Sequence, residues 1–361
     1  MLRSPKLKVE NLETPAYLMT IDTKHILEME QKGFIKIPPY QRKKEVWDTK
    51  PKMKPEFIVS ILERHIITPG MMQETPSGVL HVLNWQQRLD TIKSFRNNKF
   101  AIPDKVDAER AGMKYKNLSA QERKTFDDYN FAFMVQVSSN GKGKVAYSEA
   151  NKGLHLGRSE TLRGDYYDAN FFKYIQQQLR NTFFKGFFNH SGVLTKGQIL
   201  RCEDESFMGE LLLLVAYGAC EKDELITKLD DFKKKQKEFS RFKSDQHELK
   251  LRKYIKIADK IFPKGFTRET RFGNKTSFYR LLGAIRLVVA IHGNHDIFSK
   301  AKCKRINSKL VKFAVEAGAK GRKGTASGDQ QKFYASTTRA TTNKTIREIG
   351  IEMVKKQIIA A

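Results

Sequence analysis

Cysteine and tryptophan are scarce in this chain. Only three cysteines (Cys202, Cys220, Cys303) and two tryptophans occur in 361 residues. The cysteines stand far apart, with no C-x-x-C pair, so neither a zinc ribbon nor a disulfide framework is implied. Free thiols in a reducing compartment are the expectation. Long apolar runs are also missing. The longest, at 211–215 and 287–291, fall far short of the roughly 20 residues needed to cross a bilayer. The opening Met1-Leu-Arg-Ser-Pro-Lys6 carries no apolar leader core, which argues for a cytoplasmic protein, in the host cytoplasm if it is virus- or phage-encoded. No basic amphipathic stretch with a Trp-rich face suggests a membrane surface. The last deficit is acid: 40 Asp+Glu face 67 Lys+Arg, a net charge of +27.

Enough apolar material remains for a core, since hydrophobic residues make up 40% and aromatics 11% of the chain. That composition excludes wholesale disorder, and the length suits two domains. The basic excess is uneven. Residues 1–170 hold 28 basic and 21 acidic side chains (net +7), whereas 171–361 hold 39 and 19 (net +20). Residues 251–361 alone hold 25 and 7 (net +18). Such a bias suits a polyanion, above all nucleic acid, because each neutralised phosphate releases counterions.

Periodicity predicts a helix capped at Asp22 or Thr23, running to Gln31 and stopped by Gly33. A short strand follows at 34–37, then a helix over 54–64, turns at Pro69-Gly70 and Pro76-Ser77-Gly78, a strand at 79–83 and a helix over 86–97. Ser119 with Glu122 spells a capping box, and 130–138 alternates as a strand. Gly141-Lys-Gly-Lys144 reads as a loop. Helical patterns dominate 160–260 and 277–292, and a final helix is expected over 343–359. The Gly-rich, basic stretch 317–327 reads as a mobile loop. The chain is thus α+β over about 1–160 and mainly helical over 161–361.

Two segments carry the chemistry. Ile37-Pro-Pro-Tyr-Gln-Arg42 is followed by Val46-Trp47, and Val82-Leu-Asn-Trp-Gln-Gln-Arg-Leu-Asp-Thr-Ile92 runs from a strand through a turn into a helix. A strand–turn–helix sets backbone N–H groups and a helix N-terminus around Asn84, Trp85, Gln86, Gln87 and Arg88, which suits an anion. Arg42 follows another strand and can reach the same place, where two guanidiniums with the amides of Gln41, Gln86 and Gln87 clamp phosphate oxygens, Asn151 adds a polar contact and Tyr40 completes the candidate set. The competing reading has Arg88 and Gln87 holding the fold by pairing with backbone.

Together these segments resemble the N-terminal domain family of GmrSD-type modification-dependent restriction endonucleases. That family shows I-P-x-Y-Q-R, a nearby Trp, a helix ending in S-I-L, and a strand running into D-G-Q-Q-R-L-x-T-I. Here Ser60-Ile-Leu62 stands in the expected place. Leu118-Ser119, Phe126-x-x-Tyr129 and Tyr147-x-x-x-Asn151-x-Gly153-x-x-Leu156 with Glu160 follow in order. The likeness covers about 20–170 and extends loosely through Arg201-Cys-Glu-Asp204. It implies a ParB/sulfiredoxin-like fold over 1–160 and a nucleoside triphosphate, with Mg2+, in the pocket. It further implies catalytic roles for Arg42, Gln87 and Arg88, control of restriction of modified DNA, and a separate nuclease subunit as partner.

One departure matters. The family's Asp-Gly is Asn84-Trp85 here, so a carboxylate able to bind metal or act as a base has become an amide. Trp85 either stacks on a base or packs in the core. Three readings follow: a nucleotide-binding, DNA-associated protein of the restriction type; a catalytically inactive DNA-binding adaptor; and a ParB-like nuclease.

Other motifs fail on their own terms. Gly293-Asn-His-Asp296 and Asp245-Gln-His247 lack the remaining metallophosphatase boxes, and His292-x-x-His295 lacks a third ligand, so no metal site is expected. No later His completes an HNH nuclease after His295, and Gly321-Arg-Lys-Gly324 lacks P-loop spacing. In the basic half, Arg322, Lys323, Arg339 and Arg347 are the candidate phosphate contacts, Arg339 and Arg347 flanking a Thr-rich turn.

Overall fold

A computed structural model describes residues 16–41, 47–48, 50–137, 157–221, 223–267, 269–292, 297–338 and 341–361. The chain divides into two compact units, Met1–Asp165 and Tyr166–Ala361.

The first unit is α+β. Strand β1 (Ala16–Asp22) leads directly into α1 (Thr23–Gln31), whose N-cap Asp22 accepts from the His25 N–H as its sequence promised. Gly33 turns the chain with φ +80, a conformation open to glycine, into β2 (Ile35–Lys36). Helix α2 (Met53–Leu62), β3 (Gly70–Glu74), β4 (Leu80–Val82) and α3 (Gln86–Arg96) follow. Then come α4 (Ala120–Asp127), opened by the expected Ser119–Glu122 capping box, and β5 (Asn130–Val137). The strands form one mixed sheet in the order β1-β5-β3-β4-β2, in which β5 lies parallel to β3 and antiparallel to β1.

Alternation in β5 buries Phe131, Phe133 and Val135 against α2, α3 and α4 while Met134 faces outward. Two strands were not legible. β1 is an edge strand exposed along most of its length, so it carries no alternating signal. β3 opens on Gly70, where Pro69-Gly70 had read as a turn, because pairing on both sides outweighs local turn preference.

The second unit is helical. After α5 (Arg158–Tyr166), which spans the division, come α6 (Asn170–Arg180), α7 (Thr182–His190), α8 (Lys196–Leu200) and α9 (Glu203–Tyr217). They are followed by α10 (Glu224–Lys234), α11 (Gln236–Ser244), α12 (His247–Ile261) and α13 (Lys275–His292). The last three are α14 (Lys300–Arg322), α15 (Gly328–Thr338) and α16 (Lys344–Ile359). Helix α9 is buried on every side from Asp204 to Val215 and forms the hub, packed by α6, α10, α12 and α13. Phenylalanines fill the surrounding core, with Phe171 edge-on to Phe232 and Phe242.

The loop expected over 317–327 is corrected in its first half. Helix α14 continues to Arg322 because Gly318 and Gly321 let it close onto the Arg271 guanidinium and the Tyr334 ring, where any Cβ would collide. The chain leaves the helix only before Gly324, with φ +71. Helix α16 starts where expected, with the Asn343 side chain accepting from the Ile346 N–H. Among the described residues no helix is long and apolar enough to cross a membrane. The Gly141–Lys144 loop, the motif positions 147, 151, 153 and 156, and the 293–296 segment lie outside the described residues.

Candidate functional site

The two motif segments meet at the N-terminus of α3. Strand β4 delivers the chain into the turn at Leu83 and Asn84, and Trp85 is the N-cap of α3, with no side-chain cap. An uncapped helix start of this kind favours an anion. The polar motif side chains around it are engaged with backbone. Asn84 Oδ1 accepts from the Met71 N–H at 2.8 Å and ties the turn to β3. The buried Gln41 amide donates to the Val82 and Leu83 carbonyls. Gln87 Oε1 accepts from the Trp47 N–H at 3.0 Å. From α5, Arg163 donates through Nε to the Gln41 carbonyl and through Nη2 to the Pro39 carbonyl, both at 2.8 Å.

These bonds explain the motif's spacing. The Gln41 and Gln87 side chains tie Gln41 and Trp47 to the β4–α3 turn, so each glutamine satisfies backbone groups that would otherwise cost about 1–3 kcal/mol per buried orphan. Tyr40, half-buried, directly precedes Gln41. Arg88 is half-buried. Its Nη1 donates to the Thr68 carbonyl at 3.0 Å, and its guanidinium lies 6.0 Å from the Phe57 ring centroid. Burial pulls its pKa below the usual arginine value.

Trp85 is a core residue. It is 1% exposed and meets Phe57, Phe131 and Phe133 edge-on at 6.2, 4.6 and 4.9 Å. Its placement among nucleotide contacts is therefore corrected: an indole enclosed by three rings has no face left for a base. Trp85 Nε1 and Gln86 Oε1, on consecutive residues at the helix start, are buried without a hydrogen-bond partner among the described residues. Arg42 and Asn151 lie outside the described residues.

A second candidate is a nucleic-acid interface on α14. Lys300, Lys304, Arg305, Lys312, Lys320 and Arg322 are all exposed, as is Lys323 just beyond, while Cys303, Ile306, Leu310, Phe313 and Ala317 are buried on the other side. None of these seven cations is in an ion pair among the described residues. The helix has 23 residues, so the face extends for roughly 34 Å. At its start Lys300 and Lys304 border an apolar cavity of about 750 Å³ that also touches Phe262 and Phe298.

Arg347 requires a correction. It is 5% exposed rather than on a binding surface, and its guanidinium donates to Glu210 Oε2 at 2.8 Å, the Cys220 carbonyl at 2.9 Å and the Thr341 carbonyl at 3.3 Å. The ring of Tyr279 lies beneath it at 4.4 Å. It ties α16 to the α9 hub. Arg339 lies outside the described residues. Sequence reasoning also passed over the buried Arg280 on α13; the signal was an arginine inside an otherwise apolar run, Phe278-Tyr-Arg-Leu-Leu282.

No protein-family model, curated protein or solved structure matches this chain. Among the described residues no group of three or more His, Cys, Asp or Glu side chains is placed to hold a metal ion.

Proposed function

We propose that this protein is a DNA-docking adaptor: the basic face of α14 engages the phosphate backbone, and an α+β unit of the GmrSD N-terminal, ParB/sulfiredoxin-like kind accompanies it without hydrolytic activity. The observation that carries this is the row of exposed cations, six along one 23-residue helix and Lys323 just beyond it, none of them in an ion pair among the described residues. A solvated lysine-rich face needs no partner for folding, yet a row of this length suits about one helical turn of duplex phosphates. The adaptor reading over the hydrolase rests on Asn84, whose amide oxygen braces β3 where the resembled family has a carboxylate. The test is binding of a DNA duplex across a salt series. The slope of log K against log salt should fall by about 0.9 for each phosphate contact removed. The triple change Lys304→Gln, Arg305→Gln, Lys312→Gln should flatten it and weaken binding roughly 10²-fold at 0.1 M salt. An unchanged slope in that variant refutes the interface.

A nucleotide reading is favoured by one further observation, the buried Gln86 Oε1 without a partner among the described residues at the uncapped start of α3. A buried orphan of this sort asks for a ligand or ordered water. With no metal-holding carboxylate cluster among the described residues, Mg2+ would arrive coordinated by the nucleotide's own phosphates. Calorimetric titration with nucleoside triphosphates should show binding that Arg88→Ala abolishes, and no heat with any of them removes the nucleotide from the proposal. A separate nuclease subunit is the partner such an adaptor would recruit.

A further inference from the structure

Two buried arginines in the helical unit share a small cavity with only one lining carboxylate. The cavity, about 80 Å³, lies where α9, α13 and α16 meet the Thr341-Thr342 link. Arg280 and Arg347 form its interior, Glu210 lies beside Arg347, and Lys275 and Thr342 stand at its mouth. Its volume exceeds the roughly 10–15 Å³ that one water requires and is on the scale of a single tetrahedral oxyanion.

The charges do not balance. Arg347 is neutralised by Glu210 at 2.8 Å, and Lys275 by Glu203 at 2.7 Å. Arg280 is 1% exposed and has no carboxylate partner among the described residues. Its guanidinium donates only to neutral oxygens: the Thr276 carbonyl from Nη1, the Ser336 hydroxyl from Nε and the Ser336 carbonyl from Nη2. A guanidinium carries five N–H groups, so three bonds leave two donors on Arg280, and the three bonds of Arg347 leave two more. An uncompensated buried cation is costly, and a bound anion removes that cost. The energetic strain shows in Arg280 itself, whose pKa is pulled down to about 10, by burial first and by the neighbouring Arg347 second.

The fold maintains the position. Gly350 on α16 faces the Arg280 side chain so closely that a Cβ would collide with Nε and Cδ. A structural role accounts for part of the arrangement, since Ser336 lies in the last turn of α15 and Arg280 satisfies its orphan carbonyl. It does not account for the Thr342 hydroxyl at the open side, nor for a second guanidinium against the first.

We propose that this cavity is a phosphate site: the spare N–H groups of Arg280 and Arg347, with Lys275 and the Thr342 hydroxyl, bind one tetrahedral oxyanion, either free phosphate or the terminal phosphate of a nucleotide. It is separate from both the α3 start and the α14 face, and it stands whether or not those readings hold.

The experiment is thermal unfolding of the full chain against inorganic phosphate, with chloride at matched ionic strength as the reference. Phosphate should raise the Tm in a saturable way, since a ligand held only by the folded state stabilises in proportion to the logarithm of its concentration above Kd. Lys275→Gln with Thr342→Val, both at the mouth, should weaken phosphate binding about tenfold by removing one charged and one neutral hydrogen bond. Arg280→Met should abolish the phosphate-dependent shift. The α14 triple variant should keep it. Competition with ATP separates the sources: displacement of phosphate by ATP at lower concentration identifies a nucleotide's phosphate, and indifference to ATP identifies the free ion. The proposal fails if phosphate gives no shift beyond chloride. It also fails if the shift is lost in the α14 variant but kept in the mouth variant. Should Arg280→Met not fold, the mouth variant decides.

Discussion

The two units use arginine and lysine differently. In the α+β unit the motif side chains are committed inward: Arg163 and Gln41 clasp carbonyls, Gln87 holds the Trp47 N–H, and Arg88 lies against Thr68 and Phe57. In the helical unit, beside lysines in ordinary surface ion pairs such as Lys355–Glu352 and Lys356–Asp329, two groups of cations stand out. One is the solvated face of α14, whose exposed cations make no ion pair among the described residues. The other is a buried pair, Arg280 and Arg347, that fastens α13, α15 and α16 to the α9 hub. The difference teaches that net charge alone does not mark a binding residue. An exposed cation without a partner costs the fold nothing and is available to a polyanion; a buried one is bound to its neighbours and contributes to stability first.

The sharpest way to break this comparison is Arg347→Met. Leaving Glu210 buried and unpaired should destabilise the chain by about 3–5 kcal/mol, read as a large fall in Tm. DNA binding per folded molecule should stay unchanged. If the variant melts normally and DNA affinity drops instead, Arg347 belongs to the interface after all.

A smaller effect is expected in the α+β unit. Gln87→Ala strands the Trp47 N–H and should cost about 1–3 kcal/mol in chemical denaturation. A loss of that size shows that the Q-Q-R segment is a structural stitch; full stability with lost nucleotide binding would make Gln87 a ligand contact.

The smallest effect concerns acid. Arg110 holds Asp107 at 2.6 Å, Glu63 at 2.7 Å and Glu122 at 2.8 Å, and its hydrogen bonds are the leading reason the Asp107 and Glu122 carboxyls lie below their usual range. Depressed carboxylates stabilise the fold above their unfolded pKa, and that contribution is lost as pH falls through the lower folded value. Tm should therefore decline from about pH 5 downward. Arg110→Met should remove about 1 kcal/mol of stability at neutral pH and make the acid decline shallower. The decline should be equally steep in both proteins if the network is without effect.

Much of the architecture was legible from local signals. The Asp22 cap, the Ser119–Glu122 box, the alternation of 130–137 and the helical periods of the second half each depend on neighbours within a few residues. Long-range choices were not. β1 needed β5 as a partner to be a strand at all, and α14 ran through two glycines because Arg271 and Tyr334 occupy the space a side chain would need. The candidate site divides in the same manner. That Asn84 to Arg88 would begin a helix after a strand followed from spacing, whereas Trp85 could be read as stacking platform or core until Phe57, Phe131 and Phe133 closed around it.

By itself, then, the sequence determined that the chain has an α+β half and a helical half, and that its positive charge collects in the second, because composition and periodicity are properties of short stretches. Only the tertiary structure decided which cations meet water and which meet one another. Arg347 and Arg322 look alike in a line of text; one is packed beside Glu210 and Arg280, the other ends an exposed helical face, since burial is set by partners far away along the chain.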